Sequence, residues 1–308
     1  MPGSRVLRAL ILGLAPAIAG PAPGAELPTD LELVLAVDVS HSIDAKEARL
    51  QREGYLVALV HPRVIDAIQS GPLGRIAVTY IEWADSHYQT TVVDWMLIDD
   101  AASARAFATA LATAPRHSAN WTSISAAIDY AAKQFDVNDF DGTRRVIDVS
   151  GDSANNSGPP MAAARNRAVA AGITINGLPI LNERLTRFGW PPEADVDIYY
   201  ERFVVGGPGA FVIVAKDFNA FASAIQSKLI MEIAGTTGPA ALWACTGDGK
   251  RYHNPPRPGH RTTWCQSREE HMGLELSSQL FDGKTAVAHL LPQAEPLVGA
   301  HRPHAPAP

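Results

Sequence analysis

Three oxygen-bearing side chains follow a short apolar run near the beginning of the chain. The run at residues 32–37 is typical of a strand that is buried on both faces. The residues at alternate positions after it are Asp38, Ser40 and Ser42. Because residues two apart in an extended segment point to the same side, these side chains can present three oxygen atoms to one point. The spacing therefore predicts a binding site for a hard cation.

Two further oxygen donors occupy matching places later in the chain. Thr122 precedes a helix predicted over residues 123–135, and Asp152 follows a strand predicted over residues 145–149. Parallel strands end at one edge of their sheet, which is where ligands bind in open α/β sheets. Hard oxygen ligands suit Mg²⁺, Mn²⁺ or Ca²⁺. The five predicted metal ligands are Asp38, Ser40, Ser42, Thr122 and Asp152.

The composition of this ligand set favours binding of a partner over tight storage of a metal. Hydroxyl groups are neutral and neutralise little of the charge of the ion, and the two carboxylates are able to act through water instead of touching it. A cation held in this way stays electrophilic and keeps a position filled by water. We expect an unidentified protein or ligand to place an exposed Asp or Glu carboxylate there.

Strands and helices alternate along most of the chain. This alternation predicts an α/β fold, a doubly wound and mainly parallel sheet with helices on both faces and one antiparallel edge strand. Asp44 and Glu47 are suited to cap the first helix. The remaining predicted strands lie at 75–83, 88–95, 173–178 and 211–214, and the remaining helices at 44–60, 101–114, 160–171 and 218–233.

With these elements in place, the five residues resemble the metal-ion-dependent adhesion site of von Willebrand factor type A domains. The resemblance covers about residues 31–234, and stretches such as GRIAVTYIEW and RRVIDVSGD also resemble an uncharacterised bacterial subfamily of exported proteins with this fold. It implies that Ser40 and Ser42 contact the metal directly. It implies direct contact by Thr122 in a ligand-bound state, and contact by Asp38 and Asp152 mainly through water. The family consists largely of binding modules and not of enzymes.

The sequence departs from the family pattern in two places. Ser153 follows Asp152 where many members have glycine, and Asn120 and Trp121 precede Thr122 in place of a glycine-rich loop. These differences affect the expected loop geometry and affinity. Trp121 is a candidate border of the partner site, because exposed aromatic residues serve as anchors at interfaces.

Two other functions are weighed against metal-dependent binding. In one, the same side chains only cap helices and turns, and a metal-free interaction or structural domain binds through the insertion at residues 179–209. In the other, Asp38 and the segment after Gly151 imitate a haloacid dehalogenase-like phosphatase. That chemistry requires a second acid two residues after the nucleophile, and this position is Ser40.

Two residues near the proposed site receive other assignments. His41 alternates with the serines beside it, so we interpret it as a surface or loop histidine. Asp148 lies on a predicted buried strand and is interpreted as a hydrogen-bonded core acid, with Ser150 and Arg144 or Arg145 as candidate partners.

The ends of the chain differ in composition from the α/β domain. Residues 1–25 have a basic start and an apolar stretch, which predicts a cleaved signal peptide and a periplasmic or secreted location with no stable membrane span afterwards. Residues 235–308 are predicted to form a tail of low order. It contains Cys245 and Cys265, and an oxidising compartment permits one disulfide between them. The net charge of −6 argues against nucleic-acid binding.

Overall fold

The computed structural model describes residues 26–181 and 191–235, together with three two-residue strands at 244–245, 251–252 and 263–264. The predicted signal peptide at 1–25 lies outside these residues. So do Cys265 and most of the predicted tail at 235–308. In the described part of the chain, we find no helix with the length and apolar character needed to cross a membrane.

Strands and helices alternate as the sequence predicts. In chain order they are β1 (Leu27–Thr29), β2 (Leu31–Asp38), α1 (Ala45–Leu59), α2 (Pro62–Gln69), β3 (Ile76–Trp83), β4 (Gln89–Ile98), α3 (Ala101–Thr113), α4 (Ile124–Gln134), β5 (Phe140–Gly142), β6 (Arg145–Gly151), α5 (Met161–Ala170), β7 (Ile173–Pro179), α6 (Val196–Tyr199), a π-helical turn (Tyr200–Val204), α7 (Phe221–Ala234), β8 (Ala244–Cys245), β9 (Arg251–Tyr252) and β10 (Thr263–Trp264).

The main sheet has five strands in the order β4-β3-β2-β6-β7. Strands β3, β2, β6 and β7 are parallel, and β4 pairs antiparallel with β3 at one edge. This confirms the predicted fold class, including the single antiparallel edge strand. In the parallel register Val37 lies opposite Ser150, so β2 and β6 end side by side. The predicted ligands after these two strands therefore belong to the same edge.

Each face of the main sheet has its own apolar core because side chains alternate along a strand. Leu33, Leu35 and Val37 of β2 pack in the core beneath α1, α2, α3 and α7. Val34 and Ala36 pack in the core beneath α4 and α5 on the opposite face. A helix on only one face would leave the second set of side chains in water, so the fully buried strand requires helices on both faces.

Helix α1 begins with the predicted cap. The carboxylate of Asp44 accepts hydrogen bonds from the backbone N–H groups of Lys46 and Glu47, and the Glu47 side chain accepts one from the Asp44 N–H. A capping box of this kind satisfies N–H groups that have no partner within the helix. It fixes where the chain leaves the loop that carries Ser40 and Ser42.

Three details differ from the sequence prediction. Helix α2, which starts with Pro62 in its first turn, was not predicted. Residues 211–214 do not form a continuous strand. They run parallel to β7 through isolated bridges, Gly177 to Val212 and Ile180 to Ala215, because the preceding chain pairs antiparallel at Gly206 and then turns. The predicted insertion at 179–209 is more than a loop, since its described part contains α6 and the π-helical turn.

Candidate metal centre

Asp38 is the last residue of β2, and its side chain is completely buried. Its Oδ1 accepts a hydrogen bond of 2.7 Å from the backbone N–H of Ser40. Its Oδ2 has no hydrogen-bond partner among the described residues. Within the described ranges, Asp38 is therefore held through Oδ1, while Oδ2 is buried without a hydrogen-bond partner.

Ser40, Ser42 and Asp152 form a continuous chain of oxygen atoms. The hydroxyl oxygens of Ser40 and Ser42 lie 2.8 Å apart, and the Ser42 hydroxyl donates to Asp152 Oδ1 over 2.6 Å. The Ser153 hydroxyl also donates to this Asp152 oxygen, over 3.0 Å. The structure thus brings together predicted ligands that are 110 residues apart in sequence.

Thr122 is buried in the loop between α3 and α4. Hydrogen bonds join this loop to the loop after β2 and to the loop after β6. Toward the β2 loop, the Ala119 N–H donates to the Val39 carbonyl over 3.3 Å. Toward the β6 loop, the Thr122 N–H donates to Asn156 Oδ1 over 2.9 Å, and the Thr122 carbonyl accepts from the Asn156 N–H over 2.9 Å. These bonds place Thr122 on the rim with the other four residues, and its contact with a metal remains a prediction.

Burial and neighbouring negative charge destabilise the ionised form of both carboxylates, the charge of Asp152 at Asp38 and that of Glu47 at Asp152. Burial raises the pKa of Asp38 well above its usual range, and the charge of Asp152 raises it further, while hydrogen bonds from Ser40 lower it. Burial also raises the pKa of Asp152, and the hydroxyls of Ser42 and Ser153 lower it. Desolvation favours the neutral form of an acid, and a nearby positive charge reverses this preference.

These residues fit a hard divalent cation. Two buried acids and neighbouring hydroxyls supply only oxygen donors, the class that Mg²⁺, Mn²⁺ and Ca²⁺ prefer. Asp38 Oδ2, which has no hydrogen-bond partner among the residues that the structure describes, is a ligand atom available to such a cation. Within the described ranges no three His, Cys, Asp or Glu side chains group as a metal site. A cation at this rim must therefore be held with the help of hydroxyl groups, as the ligand set Asp38, Ser40, Ser42, Thr122 and Asp152 predicts.

Tyr200 is a component of this region that the sequence did not identify. Its side chain is completely buried on the π-helical turn, and its hydroxyl has no hydrogen-bond partner in the part of the chain that the structure describes. Burial raises the pKa of Tyr200, and the charges of Asp38 and Asp152 raise it further. The only sequence signal was its place in a long connection between two strands, where functional residues are often found.

The loop before Thr122 carries the most exposed tryptophan of the described chain. Trp121 is 67% exposed, and its φ of 61° is in the left-handed region, which is unfavourable for a bulky residue. Its neighbour Asn120 contacts the His41 ring through Oδ1. The predicted loop position of His41 is confirmed. Trp83, by contrast, is fully buried in the core.

The partners predicted for Asp148 are wrong. Asp148 is completely buried and pairs with Lys228 Nζ of α7 at 2.8 Å. Lys228 also contacts Glu232 on the same helix. Ser150 instead accepts a hydrogen bond from the Tyr55 hydroxyl over 3.2 Å. The Lys228 pair could not be found by spacing, because 80 residues separate its members along the chain.

Comparison with models of protein families identifies one family to which this sequence is similar. A model of the family DUF1194, described as a protein of unknown function, matches residues 28–237. No curated protein matches the sequence. The predicted similarity to an uncharacterised family is confirmed by the family match.

Solved structures with related architecture include a von Willebrand factor type A protein from Catenulispora acidiphila, with 15% identity over 71% of this chain and 47% of that chain and a TM-score of 0.47. Proximal thread matrix protein 1 from the mussel byssus, with a zinc occupied MIDAS motif, has 14% identity over 67% of this chain and 46% of that chain and a TM-score of 0.45. BatB from Bacteroides thetaiotaomicron has 19% identity over 67% of this chain and 100% of that chain and a TM-score of 0.43. The chain spans about half of the length of the first two proteins.

Proposed function

This chain belongs to the DUF1194 family, whose function is unknown, and we propose that it is a divalent-metal-dependent binding module of the bacterial envelope. One observation carries the proposal. Two buried acids, Asp38 and Asp152, stand at the ends of adjacent strands, and the charge of Asp152 adds to the cost of ionising Asp38. A pair of this kind is poorly stable without a positive charge, and a bound cation supplies it.

The proposed ligands have distinct tasks. The Ser40 N–H fixes Asp38 Oδ1 and leaves Oδ2 available, while the Ser42 hydroxyl holds Asp152 in place. When bound, Mg²⁺, Mn²⁺ or Ca²⁺ supplies positive charge and a coordination position that an incoming carboxylate can take. Because the hydroxyl ligands are neutral and the two acids act mainly through water, the metal stays electrophilic, and a partner that contributes an Asp or Glu side chain takes the open position.

The loop from Ala114 to Thr122 provides a surface for the remainder of that partner. Arg116 and His117 are exposed on it, and Trp121 projects into solvent. A basic and aromatic rim complements an acidic segment with an apolar neighbour, since aromatic residues and arginine are common anchors at interfaces. We propose that Trp121 contacts the partner beside the metal. The proposed periplasmic or secreted location rests on the leader-like residues 1–25.

Partner capture with and without chelator tests the function. Native envelope extract is passed over immobilised protein in Mg²⁺ or in EDTA, and Ser42→Ala is compared with Ser227→Ala. Ser227 is a partly exposed serine of α7 whose hydroxyl donates to the Ser223 carbonyl, so its loss should be silent. We expect capture in Mg²⁺ by the wild type and Ser227→Ala alone. Capture that EDTA and Ser42→Ala both leave unchanged would reject a metal-dependent mechanism.

A metal-free interaction domain is the second candidate, because the described part of the 179–209 insertion exposes apolar side chains. Ile198 is 40% exposed and Phe203 is 48% exposed. Contiguous exposed apolar surface marks interaction sites, and both side chains belong to the segment formed by α6 and the π-helical turn. Replacement of both by serine discriminates between the two candidates: it abolishes capture if the insertion is the binding surface, and the metal-dependent proposal predicts that capture persists.

The haloacid dehalogenase-like alternative has less support. The Ser40 hydroxyl is oriented to Ser42, and a serine at this position cannot protonate a leaving group as the chemistry requires. We propose that the protein is not an enzyme. A phosphatase assay with Asp38→Asn as the control addresses this directly, since turnover that the substitution abolishes would support the enzyme.

A further inference from the structure

Tyr200 lies between the insertion and the candidate metal centre. It begins the π-helical turn, and its ring crosses β7 where Gly177 has no side chain: a Cβ at Gly177 would be 2.9 Å from Tyr200 Cδ1. The ring can therefore lie directly against the sheet. A larger residue at position 177 would displace it.

The Tyr200 hydroxyl reaches the same point as the unpartnered oxygen of Asp38. A Cβ at Gly151 would lie 2.8 Å from Tyr200 Oη and 2.8 Å from Asp38 Oδ2. Both oxygens are buried, and both have no hydrogen-bond partner among the described residues. Two buried oxygens that both lie next to Gly151, and that have no partner in the described part of the chain, are unusual. A buried polar group without a partner costs about 1–3 kcal/mol.

The two groups are chemically matched. A tyrosine hydroxyl, whose ordinary pKa is about 10, keeps its proton at neutral pH. A protonated phenol is a donor, and an ionised carboxylate is an acceptor. A phenylalanine would fill the same volume without leaving a buried polar atom.

We propose that Tyr200 is a positioning residue of the metal centre, whose hydroxyl donates to Asp38 when that carboxylate serves the cation. The inference rests on the proposed function. It also links the segment 196–204 to the metal, since the residue that steadies Asp38 belongs to that segment. Groups that orient a metal ligand in this way typically contribute 10–100-fold to metal affinity.

Calorimetric titration of Mg²⁺ and Mn²⁺ into wild type, Tyr200→Phe and Tyr130→Phe tests the proposal. Tyr130 is a suitable control because its hydroxyl lies 3.0 Å from Thr91 Oγ1, on helix α4 against β4. We expect Tyr200→Phe to weaken the metal affinity by roughly 10-fold or more. Tyr130→Phe should bind as the wild type does.

Two further readouts separate positioning from general stability. Metal should change the tyrosine ultraviolet difference spectrum of the wild type, and Tyr200→Phe should abolish this change. In EDTA, Tyr200→Phe should unfold at the wild-type temperature or above it, since it removes only an unpartnered hydroxyl. Metal should also slow amide exchange in residues 196–204 of the wild type, a measurement that needs no variant.

The outcomes distinguish this inference from the proposed function. A wild type that takes up no metal overturns both. A wild type that binds metal, together with an unchanged affinity and spectrum in Tyr200→Phe and unchanged exchange in residues 196–204, overturns only the role of Tyr200.

Discussion

Replacement of Asp38 by asparagine should affect the metal-free and metal-bound proteins in opposite directions. Asparagine keeps an oxygen for the Ser40 N–H and removes a buried negative charge that faces Asp152. Asparagine carries no charge and so avoids the cost of ionising a buried acid beside Asp152, and at mildly alkaline pH this should stabilise the metal-free protein by about 1–3 kcal/mol. The same change removes an anionic metal ligand, so the protein should no longer gain stability from metal.

The size of the metal effect follows from mass action. A ligand at a hundredfold excess over its dissociation constant stabilises the folded state by about 2.7 kcal/mol. For a domain of this size, each kcal/mol raises the melting temperature by about 2–4 °C. We therefore expect saturating Mg²⁺ or Mn²⁺ to raise the wild-type melting temperature by roughly 5–10 °C. Asp38→Asn should show almost no increase.

Thermal unfolding followed by circular dichroism in EDTA and in metal, at mildly alkaline pH, provides the assay. Asp100→Asn is the matched control, because Asp100 caps α3 on the protein surface and asparagine is an equally good cap. The control should respond to metal as the wild type does. Two results would contradict a metal-binding role for Asp38. In one, Asp38→Asn is less stable than the wild type in EDTA; in the other, metal raises the melting temperatures of the wild type and of Asp38→Asn equally.

Three further predictions concern other groups. Lys228→Met should destabilise the protein by about 3–5 kcal/mol in urea, because it leaves Asp148 and Glu232 buried without their cation; a loss below about 1 kcal/mol would contradict this. Burial and the charge of Glu232 raise the pKa of Asp148 from 3.8 to about 7. Protonation of Asp148 therefore stabilises the folded state fully below about pH 4, and this stabilisation is lost as the pH rises to about 7. Asp148→Asn should remove a slope of at most about 1.4 kcal/mol per pH unit, and an unchanged pH profile would contradict the assignment. Trp121→Ala should leave metal affinity unchanged but reduce partner capture, and equal capture would show that Trp121 lies outside the interface.

Local pattern was sufficient for the elements that carry the rim. Neighbouring residues determine the buried run before Asp38, the alternation of helices and strands, and the cap at Asp44. The right-handed crossovers of a parallel sheet then place the ends of β2 and β6 side by side, which brings Asp152 to Ser42.

Features that depend on distant residues could not be predicted. Tyr200 lies in a segment without periodicity, and its position depends on the absence of side chains at Gly151 and Gly177. The pairing of Lys228 with Asp148 depends on how α7 packs across the sheet. The prediction of a continuous strand at 211–214 was wrong for a similar reason, because the turn before this segment determines how it pairs with its neighbour.

Direct titration of metal into the chelator-treated protein is the most direct test of the metal centre. We expect saturable uptake of one equivalent of Mg²⁺, Mn²⁺ or Ca²⁺ by the wild type, and loss of this uptake when Ser40 and Asp152 are both replaced by alanine. Absence of binding in the folded wild type, or equal uptake by the double variant, would contradict it.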